Sequence, residues 1–483
     1  MFIRKKPNKS GSISIQIISK ERNRYKVIES VGVGHSEQEI ANLVLKARAI
    51  LKQRQGNLEL FVDEEEFVYE SILSNLSNNQ IQVIGPELIY GRLFDKIGYN
   101  QIEEEMFRHL VITRLYNPGS KLKTIDYLRD YLGIDKKVHE IYRFLDKLND
   151  TLKCQVEEIS YKHTKKILKR NSGVVFYDMT TLYFEASEED DFRKTGFSKD
   201  GKHQCPQIFL GLLVGFGGNP IGYDIFEGNI FEGHTLLSVL EKFQHRFGLK
   251  KPIVIADAGL LSKENIKLLE EQKYRYILGG RPKNESNKIK EKILSLSLND
   301  GESTVIKKSG NQRLVVSYSQ KRAKKDAHNR EKGLKRLEKK IKSGKLTKSN
   351  INNRGYNKYL KINGDVELEI DYMKYQDDAK WDGIKSFETN TRLQAKKVIE
   401  NYANLWFIER VFRMNKTDLK IRPIYHRLRN RIEAHICISF TAYTILLELE
   451  RILKKSGSQI TLKQAEELAK RMYQIKIMLP SSG

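Results

Sequence analysis

Cysteine is scarce in this chain. Cys154, Cys205 and Cys437 are the only three in 483 residues, too widely separated for a disulfide framework or for zinc-type spacing. Each is expected to be a small, buried apolar residue. No apolar run is long enough to span a bilayer, and the opening MFIRKKPNKSGS lacks the apolar segment of a signal peptide. Acid is also in short supply. With 86 Lys and Arg against 61 Asp and Glu the formal charge is +25, and the commonest acidic partner of so basic a chain is nucleic acid. These features together set the expectation of a cytoplasmic, nucleoid-associated protein with no membrane partner. No internal repeat and no phosphate-binding glycine loop is found, Gly217-Gly218 reading only as a turn. His426 and His435 have no further metal-type ligand at usable spacing and read as ordinary residues.

The most informative stretch lies near the C-terminal end. Tyr402 to Lys416, YANLWFIERVFRMNK, contains no proline or glycine and reads as one helix. Tyr402, Glu409 and Lys416 recur every seven residues, so they are expected on one stripe, the outer two about 10 Å from Glu409 along the axis. Leu405, Trp406, Phe407 and Ile408 before it, with Val411 and Phe412 after, predict a helix packed over much of its circumference. A carboxylate there needs a partner, and Arg413 at i+4 is the simplest one.

From the N-terminus, residues 12 to 33 alternate apolar and polar in SISIQIIS and YKVIESVGV around the polar ERNR, the pattern of a β-hairpin. Ser36 and Glu39 form a capping box ahead of Ile40, Leu43, Val44, Ala47 and Ile50 at helical spacing. Residues 1–80 are therefore expected to form a small α+β module that ends in a polar linker, LSNLSNNQ. Packing and DNA contact both stand open as its role. Residues 81–170 read as helical, with a break at Asn117-Pro118-Gly119-Ser120. The segment DKKVHEIYRFLDKLND sets Lys136, Lys137, His139 and Arg143 beside Ile141, Phe144, Leu145 and Leu148, a basic edge suited to DNA.

Strand character becomes strong at GVVFYDMTTLYFEA, whose Asp178 is costly in such a setting unless it meets a cation or a donor. Two strands follow in QIFLGLLVGFGGNPIGYDIFEGN, then the amphipathic helix HTLLSVLEKFQHRFG. Next come the short strand of KPIVIADAG ending in Asp257, a helix capped by Ser262, and the strand YRYILGG. Three strands, helix, strand, helix, strand is the order of a ribonuclease H-like core, in which the first and fourth strands are neighbours and would bring Asp178 and Asp257 together. The chain from Asp257 to Glu409 is longer than such a core needs. Its excess reads as an insertion, β-rich at STVIKKSGNQRLVVSYSQ and DVELEIDYMKYQDDAKWDGIKSFETN, with a basic helix from Lys321 to Lys345 at its centre. That helix is either a solvated surface laced with pairs such as Glu331–Lys335 or a phosphate-binding surface carrying Lys324, Lys325, Lys339 and Lys340.

Tyr402, Leu405, Glu409 and Lys416 fall at the spacing Y-x2-R-x3-E-x6-K, with leucine in place of the arginine. In this the chain resembles insertion-sequence DDE transposases of the IS-four-like group. RLYNPGSK, IYRFLDKL, YDMTTLYFEA, FEGN followed by Thr235-Leu236, and ADAG add dispersed blocks in the same order. The resemblance implies that Asp178, Asp257 and Glu409 are the catalytic, metal-holding carboxylates for two Mg2+ ions, with Mn2+ able to substitute and Asp178 bridging the pair. Hard oxygen ligands suit these ions. It also implies DNA contacts from Tyr402 and Lys416, and Arg410 or Arg413 stands close enough to replace the missing arginine. Trp406, one turn from Glu409, is either a core residue or a stacking surface for an unpaired base.

The expected architecture is α/β. A ribonuclease H-like catalytic core at 171–280 is completed by 396–455 and interrupted by the β-rich insertion at 281–395. The α+β module of 1–80 and a helical, DNA-end-binding region at 81–170 precede it, and an appendage at 456–483 follows. The expected function is a DNA transposase acting on double-stranded DNA, as a homodimer or higher oligomer. It would bind the terminal inverted repeats of its element, cleave them by metal-dependent hydrolysis and join the 3′-OH ends to target DNA. A ribonuclease H-like nuclease without strand transfer, and a non-catalytic domesticated DNA-binding protein, are the alternatives.

Overall fold

Alternation at residues 12–33 does produce a hairpin in the computed structural model, which describes residues 1–21, 24–54, 81–148, 150–169, 173–230, 235–248, 251–260, 262–344, 346, 352, 355–363 and 367–475. The expected linker LSNLSNNQ lies outside the described residues. The chain divides into two compact units, one of Met1–Gly85, Ile125–Lys136 and Glu467–Gly483, the other of Pro86–Thr124 and Lys137–Glu466. No helix among the described residues is long and apolar enough to cross a membrane.

In the first unit β1 (Phe2–Pro7), β2 (Ile13–Glu21) and β3 (Arg24–Gly34) form an antiparallel sheet in that order. The expected hairpin is β2–β3; β1 has no counterpart in the sequence reading because FIRKKP offers one inward apolar residue, Ile3. Helix α1 (Glu37–Arg54) covers one face, where Ile15, Ile17 and Ala47 are buried against Ile3, Ile28, Val31 and Leu43. Its capping box is formed, the Glu39 N–H donating to Ser36 Oγ at 3.2 Å and the Ser36 N–H to the Glu39 carboxylate at 3.3 Å. A short strand, β4 (Ile81–Val83), pairs antiparallel with the strand Tyr473–Ile475.

The second unit begins with α2 (Arg92–Ile97) and α3 (Glu105–Tyr116). After the Asn117–Ser120 break come α4 (Lys121–Leu132), which runs on into the first unit, then α5 (Val138–Lys147) and α6 (Asp150–Leu168). Then follow β5 (Val174–Tyr183), β6 (Gln207–Val214), β7 (Pro220–Glu227), α7 (Leu236–Phe247), β8 (Ile253–Ala256), α8 (Lys263–Glu271) and β9 (Arg275–Gly279). Ser262 caps α8, its hydroxyl accepting from the Asn265 N–H at 3.0 Å. β5, β6 and β7 are antiparallel neighbours, and β5 also pairs in parallel with β8, which pairs in parallel with β9.

The insertion contributes α9 (Asn287–Leu294), β10 (Ser303–Lys307), β11 (Arg313–Tyr318), α10 (Gln320–Lys342), the hairpin β12 (Leu360–Asn363) and β13 (Glu367–Ile370), α11 (Tyr372–Ala379) and β14 (Ile384–Thr389). β14 pairs antiparallel with β9, so one eight-stranded sheet runs β10-β11-β14-β9-β8-β5-β6-β7. Tyr177 and Met179 of β5 face α7 and α8, packing with Val239, Leu240, Phe243 and Leu269. Residues of the other parity face α12 (Ala395–Ala403), α13 (Trp406–Thr417) and the long apolar α14 (Arg429–Lys455); α15 (Leu462–Lys470) follows. Tyr443 of α14 donates its hydroxyl to the Gly218 carbonyl at 2.9 Å, fixing that helix to the β6–β7 turn.

Two expectations need correction. Only Cys437 is buried; Cys154 is exposed and Cys205 half-buried, because the period of α6 turns Val156 and Ile159 inward and Cys154 out. Tyr402 to Lys416 is two helices, not one. The amides of Asn404, Leu405, Phe407 and Ile408 each bond the carbonyl three residues back, and the Asn404 side-chain amide donates to the Glu400 carbonyl at 3.0 Å. Those bonds replace the i→i−4 ladder at the joint and end α12 before α13 begins. Tyr402 and Glu409 therefore do not share one helical stripe.

Candidate active site

Asp178 sits at the centre of β5 on the face opposite Tyr177 and Met179. Phe176, of the same parity, meets Phe407 of α13 with ring centroids 6.0 Å apart, so α13 lies over the sheet face to which Asp178 belongs. Asp178 is held by its own strand and by a cation: its carboxylate accepts from the Met179 N–H at 2.7 Å and lies 3.6 Å from Lys199 Nζ. Lys199 also donates to the Met179 carbonyl at 2.7 Å. Asp257 follows β8 directly, and the register Tyr177↔Ala256 makes it the neighbour of Asp178 across the parallel pair. Its carboxylate accepts from the Gly259 N–H.

Glu409 lies on the exposed side of α13, whose other side buries Ile408, Val411, Phe412 and Met414. The expected partner Arg413 is also exposed, and among the described residues neither makes an ion pair. Arg410 is committed elsewhere, 2.6 Å from Glu450. Leu405, at the position of the signature arginine, is buried at the α12–α13 joint, so no phosphate contact comes from that position. Trp406 is 49% exposed and its ring is tilted against Phe407 at 4.5 Å; it is not a core residue.

Tyr402 connects these elements. Its ring packs on Phe387 of β14 at 4.8 Å, with Lys385 Nζ 4.7 Å from the ring centre. Its hydroxyl passes over Gly279, where any Cβ would come within 2.5 Å of that oxygen and 2.9 Å of the Ala258 nitrogen. Glycine is needed there for the close approach. Burial, and then the negative charges of Asp257, Glu409 and Asp178, push the Tyr402 phenol up to about 12. One side chain thus feels all three acids. Among the described residues, however, no group of three or more His, Cys, Asp or Glu side chains is close enough to hold a metal ion. The donor chemistry fits a hard divalent cation, and Asp178 is met by the Lys199 ammonium.

Lys416, in the last turn of α13, is paired with Asp200 at 3.2 Å, and Arg422 pairs with the same carboxylate. Burial opposes ionisation of Asp200, but Arg422 and Lys416 outweigh it and hold the carboxyl below its ordinary range. Burial and neighbouring Arg422 lower the Lys416 ammonium, with Asp200 working the other way. Tyr183, Lys202, Lys416, Arg422 and Asp200 line a cavity of about 390 Å3. Lys199 and Asp200 escaped the sequence reading. They occupy an irregular segment with no periodicity, and their one signal is position, since the loop carrying them leaves the end of β5.

Lys324, Lys325, Lys339 and Lys340 are all exposed on α10. Glu331 does pair with Lys335, at 2.6 Å, yet among the described residues none of those four lysines has an ion-pair partner.

Residues 169–445 match a transposase family, the one described as Transposase DDE domain. The match spans more than half of the chain, and the chain belongs to this family. No curated protein sequence matches the chain. Among solved structures it is similar to a cryo-EM structure of the piggyBac transposase synaptic complex with hairpin DNA. That likeness has 11% identity, covers 80% of this chain and 76% of the other, and has a TM-score of 0.41. It is also similar to the Mos1 transposase paired-end complex with left transposon end, at 11% identity over 36% of this chain and 57% of the other, with a TM-score of 0.17.

Proposed function

We propose that this protein is a DNA transposase of the insertion-sequence type that binds the ends of its element, cleaves them hydrolytically and joins the freed 3′-OH ends to target DNA. The observation that carries the reading is the placement of Asp178 in β5 and Asp257 at the end of β8, neighbours across a parallel strand pair, with Glu409 on α13, the helix packed on the face of Asp178. The sheet order around β5 and β8 supports a ribonuclease H-like core of residues 171–280 and 396–455. Residues 81–170 take the end-binding role, the +25 charge supports double-stranded DNA as partner, and the active species is a homodimer or higher oligomer on the nucleoid.

Asp178, Asp257 and Glu409 would hold the Mg2+ ions, which when bound supply activation of the incoming oxygen and stabilisation of the leaving one. The chain's own groups position the DNA. A phenol pushed up to about 12 keeps its proton at any working pH, so Tyr402 is a hydrogen-bond donor to a phosphate oxygen. Lys416 and Arg422 exchange Asp200 for a strand phosphate, a like-for-like replacement of one anion by another. Water is the nucleophile for cleavage and the 3′-OH for joining. Incubating the protein with Mg2+ and a fragment carrying its element's ends should give cut ends and joined products. Cutting without joining would identify a nuclease, and binding without either a domesticated DNA-binding protein.

Lys416→Ala is expected to slow single-turnover cleavage and weaken end binding by about ten-fold or more, as for loss of a charge-assisted hydrogen bond, with an unchanged Mg2+ dependence; Tyr402→Phe should be milder. Wild-type cleavage and affinity in Lys416→Ala would reduce this residue to a structural partner of Asp200. Reversing the charges of Lys324, Lys325, Lys339 and Lys340 should flatten the dependence of log K on log[salt] by about 0.9 for each phosphate that is no longer neutralised. An unchanged slope returns α10 to a solvated surface.

A further inference from the structure

The face of the β1–β3 sheet turned away from α1 carries a second ordered set of side chains. The registers place Phe2, Ile18 and Val27 in one cross-strand row, Arg4, Gln16 and Ser30 in the next, and Lys6, Ser14 and Val33 in a third, with Lys20 opposite Tyr25 at the far end. Phe2 and Tyr25 are 45% and 59% exposed and meet edge to face at 6.0 Å, and Lys20 Nζ lies 5.7 Å from the Tyr25 ring. Of the cations on these strands, Arg4, Lys6 and Lys20 belong to this face, while Lys5 and Lys26, in register with Ile15 and Ser19, have the parity of the α1 side. Glu29 is already neutralised by Arg54 of α1 at 2.6 Å. The β1–β2 turn is fixed by the Asn8 side-chain amide, which donates to Ser12 Oγ at 3.0 Å and Ser14 Oγ at 2.8 Å.

We propose that this sheet face is a DNA-reading surface that enters the major groove of the element's end, with Arg4 and Gln16 on base edges and Lys6 and Lys20 on the flanking phosphates. The occupant follows from charge and size. A face on which the registers place Arg4, Lys6 and Lys20, with Glu29 turned to the α1 side beside Ile17, calls for a polyanion. Three strands about 4.8 Å apart span roughly 10 Å, against a major groove about 12 Å wide, and the twist of a three-stranded sheet follows the groove. Arginine and glutamine are the residue types that pair bidentately with guanine and adenine edges, and they sit side by side in one row. A lysine-lined edge that only guards β1 against strand addition would need neither the glutamine nor the aromatic pair.

The proposal rests on the reading of the chain as a transposase, and the test separates the two. Full-length protein is titrated with a duplex of its own element end and with a shuffled duplex of equal length. Arg4→Ala or Gln16→Ala should weaken the cognate complex about 5- to 150-fold, leave the shuffled complex nearly unchanged, and abolish interference by major-groove purine methylation at one position. Lys20→Ala should weaken both complexes equally and lower the salt slope by about one. Arg4 and Lys20 are exposed and Gln16 is half-buried, so an unchanged melting curve is required of each variant, and Arg4→Gln guards the result further. Wild-type affinity in both Arg4→Ala and Gln16→Ala overturns the proposal. So does an equal loss on both duplexes, or loss of self-association in sedimentation with DNA affinity intact. A wild-type protein that does not prefer its own ends overturns instead the transposase reading.

Discussion

Asp178→Ala, Asp257→Ala and Glu409→Ala should each abolish end cleavage and strand transfer, a loss of at least about 1,000-fold, while end binding stays within a few-fold of wild type. Each substitution removes one of the three acids that act on Tyr402. A site that stabilises developing charge by several kcal/mol loses that order of rate with one ligand. Folding should survive, because Asp257 and Glu409 are exposed and Asp178 is linked to a flexible ammonium at 3.6 Å. A readout independent of activity is available. With any one acid gone, the Tyr402 phenol should titrate below its present value of about 12, since a nearby negative charge no longer opposes its ionisation. Full strand transfer by Glu409→Ala in Mg2+, with the Tyr402 titration unmoved, would remove Glu409 from the site.

Glu448→Ala should cost about 2–3 kcal/mol of stability at neutral pH without touching the acids of the site. Glu448 is 1% exposed within α14, and its carboxylate gathers Arg451 at 2.6 Å with Lys96 and His163 each at 3.3 Å. Breaking a buried pair costs about 3–5 kcal/mol where the partner stays buried. Lys96 and Arg451 reach water here, so the loss should fall at or below the bottom of that range. The sign with pH is fixed by the carboxyl itself. Burial favours its neutral form, but Arg451 and His163 outweigh burial and hold it well below the ordinary range. A depressed folded-state value gives stability that is complete above the unfolded carboxyl range, near pH 4–5, and fades as pH falls through the folded value. Melting curves of wild type and variant should therefore converge in acid. A constant difference down to low pH would assign the loss to packing instead.

What could be read from the sequence was whatever local pattern specifies. The β2–β3 hairpin, the Ser36–Glu39 cap, the Ser262 cap and the strands carrying Asp178 and Asp257 all rest on period and on turn or cap chemistry, and the structure has them. The break between α12 and α13 could not be read, since the stretch holds no proline or glycine to stop a helix at Asn404 and Leu405; it is made by hydrogen bonds that reach back three residues instead of four and an Asn404 side chain that competes for a backbone carbonyl. The same break takes Leu405 into the interior and places Tyr402 over Gly279, so the four letters of the signature are set by two helices. Lys199 and Asp200 were invisible for a different reason. Their partners, Asp178 and Lys416, lie on elements that only tertiary packing brings to one loop.

The pairing of β14 with β9 has a consequence for how the chain acquires its structure. β9 ends at Gly279 and its outer neighbour begins at Ile384, so during synthesis the ADAG-side half of the sheet carries an open, hydrophobic edge until the whole insertion has emerged. Local hairpins form early and long-range strand pairings late. β10 and β11 are a local hairpin, and β14 is the strand that joins it to the core sheet. An exposed edge held open for so long is where two nascent chains would join by strand addition. The insertion is therefore also the element that supplies the strand covering the β9 edge.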